Sequence, residues 1–189
     1  RGNKRLCAFP AARSRFTERV HKGRAKRNPG YDIFFPPNVS IGDSVEKAFL
    51  FYPGILVDHT SYATILGELS DAGVLVILIQ MEPLRVASRY TGADAKHAKK
   101  IQKEIETLLG LLVGDWIIGG HSLGSDAAAE LTSELPPISR LVLWGTYLCT
   151  DLKESDLSVL VINASNDDVI NKLVPGNEGF LSKLPPVDG

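Results

Sequence analysis

The stretch DWIIGGHSLGSDAAAEL, residues 115–131, joins two kinds of local pattern through a serine flanked by glycines. DWIIGG reads as a short apolar strand, and the alanine-rich SLGSDAAAELTSEL as a helix stopped by Pro136 and Pro137. At their junction stands Gly120-His121-Ser122-Leu123-Gly124. A serine on so sharp a strand-to-helix turn takes a strained backbone, and side chains two residues before or after it would collide; Gly120 and Gly124 remove them. The turn lifts the Ser122 oxygen clear of the sheet and places it at the positive end of the helix, where a developing negative charge is favoured. With 17 Gly and 14 Ser in the chain, G-x-S-x-G would occur by chance about 0.1 times, so the string is weak and its position between strand and helix is the signal.

Working outward, the same alternation continues on both sides. YDIFFP reads as a first strand and KAFLFY (Lys47 to Tyr52) as another. After a Pro53-Gly54 turn, Asp58 caps a helix with Tyr62, Ile65, Leu66 and Leu69 on its apolar face, ended by Gly73. GVLVILIQ is apolar without alternation, as a strand covered on both faces requires. Met81 to Ala93 reads as a loop. Asp94 opens a helix with Ile101, Ile105, Leu108, Leu109 and Leu112 inward and a lysine-rich face outward. SRLVLWG and LSVLVINAS are strands. This predicts an α/β domain: a mostly parallel, doubly wound sheet flanked by helices.

The 189 residues, 44% apolar, suit one globular domain that buries roughly 70% of its unfolded surface without disulfides. Two cysteines, Cys7 and Cys149, fit a reducing compartment, the cytoplasm or an organelle such as a plastid or mitochondrion. The longest apolar run is too short for a membrane span. A net charge of -1 hides an asymmetry: residues 1–30 carry ten Lys or Arg and one Glu, a surplus of +9, which leaves -10 for residues 31–189. The expected organisation is a basic N-terminal extension, 1–30, with helical spacing of Leu6, Phe9, Ala12, Phe16 and Val20 interrupted near Pro10, followed by the α/β domain, 31–189. The extension suits a targeting remnant or an arm docked on an acidic protein partner or anionic membrane. No base-reading chemistry accompanies the charge, so no nucleic-acid role is expected. Met81 is the only methionine, and the chain is expected to be processed, truncated or partly observed.

The Tyr52-Pro53-Gly54 turn and the GGHSLG junction together resemble the α/β-hydrolase fold family, more narrowly its small dienelactone-hydrolase-like members, over about Tyr31 to Leu184. The resemblance implies Ser122 as nucleophile of a serine hydrolase, the backbone amides of Ile55 and Leu123 as an oxyanion hole, and Asp167, after LSVLVIN, as the acid that orients a histidine. The family's histidine follows the acid, and none follows Asp168 here. His121 within the junction and His59 near the expected mouth are the alternatives; His97 and His21 read as surface residues. The resemblance also implies a further strand, loop and helix beyond LSVLVIN, and the domain is expected to be C-terminally incomplete.

Only about a dozen residues, GTYLCTDLKESD, separate LVLWG from LSVLVIN, too few for a helical lid, which implies an open site for a small ester or activated acyl substrate. The alternatives are a catalytically silent scaffold docked through its basic arm and a small-molecule receptor. Scattered histidines and cysteines give no metal-ligand spacing, and neither a Walker loop nor a dinucleotide fingerprint occurs; no metal and no cofactor are expected.

Overall fold

The structure, a computed structural model, describes residues 6–39, 42–80, 93–110, 113–135, 138–146, 150–168 and 178–186. Among them run strands β1 (Ala25–Asn28), β2 (Tyr31–Phe34), β3 (Val45–Tyr52), β4 (Leu75–Ile79), β5 (Val113–His121), β6 (Ile138–Trp144) and β7 (Ser158–Ile162). Helices are α1 (Pro10–His21), α2 (Ala63–Asp71, entered through a 3-10 turn at His59–Tyr62), α3 (Ala93–Leu109), α4 (Leu123–Leu131) and α5 (Glu178–Leu181). The sheet order is β1-β2-β4-β3-β5-β6-β7. β1–β2 and β2–β4 pair antiparallel, and every pairing from β4 through β7 is parallel. The expected mostly parallel α/β sheet is therefore the observed one.

Alternation along β3 divides the core. Ala48, Leu50 and Tyr52 join Ile77, Ile118 and Leu141 under α3 and α4, whereas Phe49 and Phe51 join Phe34, Val76 and Leu78 under α1 and α2. β4 is buried along its whole length, which is why LVILI carries no polar residue. Ile101 and Ile105 of α3 are buried as expected, while the side chains of Leu108 and Leu109, and Leu112, lie outside the described residues. So do 81–92 of the expected loop and the Pro136-Pro137 stop. On α2, Leu66 is buried but Ile65 is half exposed, because the inward face of the helix runs through Ala63, Leu66, Gly67 and Ser70 and Ile65 lies off it. Asp58 caps the 3-10 turn, accepting from the Thr60 amide at 3.0 Å.

YDIFFP proves to be the second strand, since AKRN of the basic segment forms edge strand β1 on β2. Pro10 starts α1 and does not interrupt it, its fixed φ and missing N–H being harmless at a first helical position. Ala12 and Phe16 are buried against the domain, and Phe16 meets Phe34 edge to face at 5.6 Å. Leu6, Phe9 and Val20 remain exposed. Five of the seven described basic residues of this segment pair with the chain's own acids: Arg13 with Asp58 at 3.1 Å, Arg19 and Arg24 both with Asp71, Lys22 with Glu18 at 2.7 Å, and Arg27 with buried Asp32 at 3.2 Å. Upstream of α1, Leu6 forms a parallel bridge to Val57, its N–H donating to Leu56 O at 2.7 Å and its carbonyl accepting from Asp58 N at 2.9 Å.

Candidate active site

Ser122 stands between β5 and α4 with φ 54° and ψ -128°, a conformation that costs a non-glycine residue about 1–3 kcal/mol. What holds it there is backbone on three sides. Its N–H donates to Trp144 O of β6 at 2.8 Å, and register pairs Tyr52 with Gly120 and His121 with Trp144, so the carboxyl ends of β3, β5 and β6 meet at one level. A Cβ on Gly120 would press into Gly124 and come within 2.7 Å of Tyr52 O; one on Gly124 would press into Tyr52 O and stand 2.5 Å from Pro53 O. The two glycines are thus required by contact, as the sequence spacing suggests. Ser125, fully buried, tightens the junction: its Oγ donates to Gly120 O at 2.5 Å and accepts from Trp144 N at 3.1 Å.

The turn after β3 lies beside this junction. Ile55 is partly exposed, and Leu56 takes φ 60°. Leu123 opens α4, where a first-turn amide has no acceptor within the helix. Among the described residues neither the Ile55 nor the Leu123 amide has a backbone acceptor. Leu123 is the chain neighbour of Ser122, and Gly54, the residue before Ile55, packs against His121.

His121, one of the two alternatives for the base in the sequence, links these parts. Its Nδ1 lies 2.9 Å from the Tyr62 hydroxyl, which accepts from the Gly54 N–H at 2.9 Å. Burial holds the His121 imidazole below its ordinary pKa, with Asp167 opposing the shift. Burial also pushes the Tyr62 phenol up to about 12, the Gly54 N–H pulling the other way. The Tyr62 hydroxyl and Nδ1 of His121 share one hydrogen, and the imidazole tautomer sets which of the two donates it. On the far side, Nε2 of His121 and Oδ2 of Asp167 each lie 3.5 Å from the point a Gly145 Cβ would occupy. Gly145, at φ 49°, donates its N–H to Ile162 O of β7 at 2.9 Å, and Asp167 follows in a turn closed by its N–H to Ala164 O at 3.2 Å. Ser122, Asp167, Gly120, Gly124 and the amides of Ile55 and Leu123 are all at the carboxyl end of the sheet.

His59 belongs to a different group. Its Nε2 is 3.0 Å from Asp32 Oδ2, near enough for an ion pair but not aligned as a hydrogen bond. Asp32, wholly buried, also accepts from Gln80 Nε2 at 2.9 Å. His97 packs against Gly30 rather than standing free, since a Cβ on Gly30 would be 3.2 Å from its Nε2. A groove of about 800 Å³ between α4 and residues 150–157 is lined by Ile138 and Ser139, at the opposite end of β6 from Ser122. Among the described residues no helix lies between β6 and β7, no group of acids, histidines and cysteines is arranged for a metal, and no helix is long and apolar enough to cross a membrane.

The profile of the Alpha/beta hydrolase family matches residues 48–183. Among solved structures, a candidate thioesterase from a Silicibacter species superposes with a TM-score of 0.51 at 20% identity, covering 75% of this chain and 56% of that one. The LpqC poly(3-hydroxybutyrate) depolymerase from Bordetella parapertussis gives 0.54 at 13% identity, covering 64% and 47%. The chain thus spans about half the length of these two structures. No curated protein matches the chain. At such identities the structural likeness is one of fold, and it is the family match over most of the chain, on a sheet of the same class, that decides: the chain belongs to the alpha/beta hydrolase family.

Proposed function

We propose that the protein is a serine hydrolase that cleaves a small ester or similarly activated acyl bond through an acyl-enzyme on Ser122. The observation that carries this reading is the strained Ser122 at a strand-to-helix turn where neither Gly120 nor Gly124 has room for a side chain. Strain of this kind persists where surrounding structure enforces it, and it presents the hydroxyl above the sheet. In this reading Ser122 Oγ bonds to the substrate carbonyl carbon as its proton passes to a histidine base. The carbonyl electron pair becomes an oxyanion facing the amides of Ile55 and Leu123. The tetrahedral centre collapses, the bond to the leaving group breaks, and the base returns the proton to that group. Water repeats the sequence on the acyl-enzyme, releasing the acid and restoring the serine. In this reading Asp167 orients the histidine that serves as base. Each oxyanion donor is worth about 3–4 kcal/mol of transition-state stabilisation. The names of the two structural neighbours accord with acyl cleavage.

The test is covalent labelling of the intact gene product with a fluorophosphonate probe. Ser122 is expected to carry the label, and Ser122→Ala to lose both labelling and hydrolysis of a p-nitrophenyl ester. A folded protein that takes no label refutes the proposal.

A further inference from the structure

We infer that Tyr62 and His121 are positioning residues that hold the oxyanion turn, Gly54-Ile55, against the serine junction through one hydrogen-bonded relay. This rests on the serine-hydrolase reading and adds to it two side chains that touch neither substrate nor the reacting atoms.

The geometry is a chain of two hydrogen bonds. The Gly54 N–H donates to Tyr62 Oη at 2.9 Å, and Tyr62 Oη lies 2.9 Å from Nδ1 of His121, the residue immediately before the nucleophile. Tyr62 is fixed for the task. It ends the 3-10 turn, is buried, and stacks at a tilt on Phe51 with ring centroids 5.0 Å apart. Its ring also lies 5.9 Å from that of His121. Gly54 is fitted to the same contact: a Cβ there would be 2.7 Å from Nδ1 of His121 and 3.3 Å from Tyr62 Oη. Any side chain at 54 would therefore displace the imidazole and the hydroxyl together. At its other end the imidazole adjoins Gly145 and Asp167. Turn, nucleophile and acid loop come from three distant parts of the sequence, and His121 is the side chain within reach of all three.

The consequence for chemistry follows from two neighbouring peptide planes. The Gly54 N–H lies in the Pro53–Gly54 plane, and only φ and ψ of Gly54 separate that plane from the one that carries the Ile55 N–H, which would face the oxyanion. Fixing the Gly54 N–H on Tyr62 restricts rotation of the turn and so the aim of the Ile55 amide. A donor misplaced by about 1 Å can cost a hundredfold in rate. Because the relay acts on a group used in the transition state, its loss lowers kcat and spares KM.

The test compares the wild-type protein with Tyr62→Phe, His121→Ala, His121→Asn and Ser122→Ala on a p-nitrophenyl ester, with Tyr31→Phe as a control. Tyr31 also donates from its hydroxyl, to Glu104 at 3.2 Å, but beneath α3 and away from the site. Tyr62→Phe and His121→Ala are each expected to lower kcat by about ten- to a hundredfold with KM within about twofold, and their double variant to be no worse than the more severe single one. Asn at 121 offers an amide oxygen near the place of Nδ1, so His121→Asn should recover most of the rate lost in His121→Ala. Tyr31→Phe should leave kcat unchanged. Independently of turnover, 15N spectra of the imidazole near neutral pH should show His121 protonated on Nε2 and accepting at Nδ1, and Tyr62→Phe should shift the Nδ1 resonance. Normal kcat in folded Tyr62→Phe beside an inactive Ser122→Ala overturns the relay and leaves the hydrolase standing. His121→Asn as inactive as Ser122→Ala overturns it too, by making His121 the base. Undiminished turnover in Ser122→Ala overturns the serine-hydrolase reading itself, and the positioning role with it.

Discussion

Replacing Gly124 by alanine adds a single methyl group, and the structure says where it must go. The methyl would press into Tyr52 O, with Pro53 O at 2.5 Å and Tyr52 C at 2.8 Å. These are backbone atoms of a central strand's end, with no rotamer to change, so either α4 moves outward or the oxyanion turn does. Overpacking of this kind typically costs about 1–3 kcal/mol, and rigid backbone neighbours place the present case toward the upper end. Alanine's better helix propensity returns up to about 1 kcal/mol, leaving about 2 kcal/mol of net destabilisation. For a domain of this size that is a fall in Tm of about 4–8 °C. Gly179→Ala supplies the comparison: it lies in α5 with nothing within 4 Å of the added methyl, so it should be neutral or slightly stabilising. Thermal and urea unfolding measure both, and the Gly124 variant should lose ester hydrolysis out of proportion to the protein left folded. A Gly124→Ala protein as stable as wild type would refute the steric argument for the junction and, with it, the reason for reading G-x-S-x-G as more than a string.

Ser125→Ala removes a buried hydroxyl that serves Gly120 O and Trp144 N together. Losing both bonds of that buried hydroxyl should cost about 1–3 kcal/mol in urea unfolding, whereas Ser139→Ala, which removes an exposed bond to Asp115, should cost less than about 0.5 kcal/mol. Asp71 is held below the usual carboxylate pKa chiefly by its hydrogen bond from Arg19, with Arg24 adding to it. Its folded pKa is the lower one, so the stability it contributes is present above its unfolded pKa and is lost as pH falls through the folded value. Stability measured downward from neutral pH into the acid range should therefore fall more in wild type than in Asp71→Asn. The carboxylate is about half exposed, so the difference should stay under about 1 kcal/mol. Ser122→Gly should be more stable than Ser122→Ala by about 1 kcal/mol, because only glycine occupies φ 54°, ψ -128° without strain.

What was legible in the sequence is what local pattern dictates. The junction at 115–131, the unbroken apolar β4 and the capped entry to α2 each follow from neighbours in the chain. Gly120 and Gly124 were legible from their spacing about the serine, although the atoms that exclude a side chain at 124 belong to Tyr52 and Pro53. The basic segment reads as an extension because Glu18 is its one acid, and the acids that pair with Arg13, Arg19 and Arg24, Asp58 and Asp71, lie 45–52 residues away. AKRN carries no apolar alternation, since an edge strand such as β1 buries only Ala25 fully. Tyr62 and His121, 59 residues apart, carry no joint sequence signal. Tyr62 reads simply as one apolar position of α2, and His121 as an incidental neighbour of the serine. Only the register that sets the end of β3 beside the end of β5 brings the two together.

The bridge between Leu6 and Val57 has a consequence in time. It closes a loop of about fifty residues, which costs about 3.5 kcal/mol of chain entropy before any contact rewards it. Two backbone hydrogen bonds return little of that, so the bridge is expected to form after α1 has docked through Phe16 and Arg13 has found Asp58. The turn carrying Leu56 is thus among the last parts of the domain to set and among the first to open. The sheet and Ser122 would be native while the turn opposite still waits for the beginning of the chain. Catalytic competence would then trail the return of secondary structure during refolding. The interval between them is the time that residues 6–13 need to find their place.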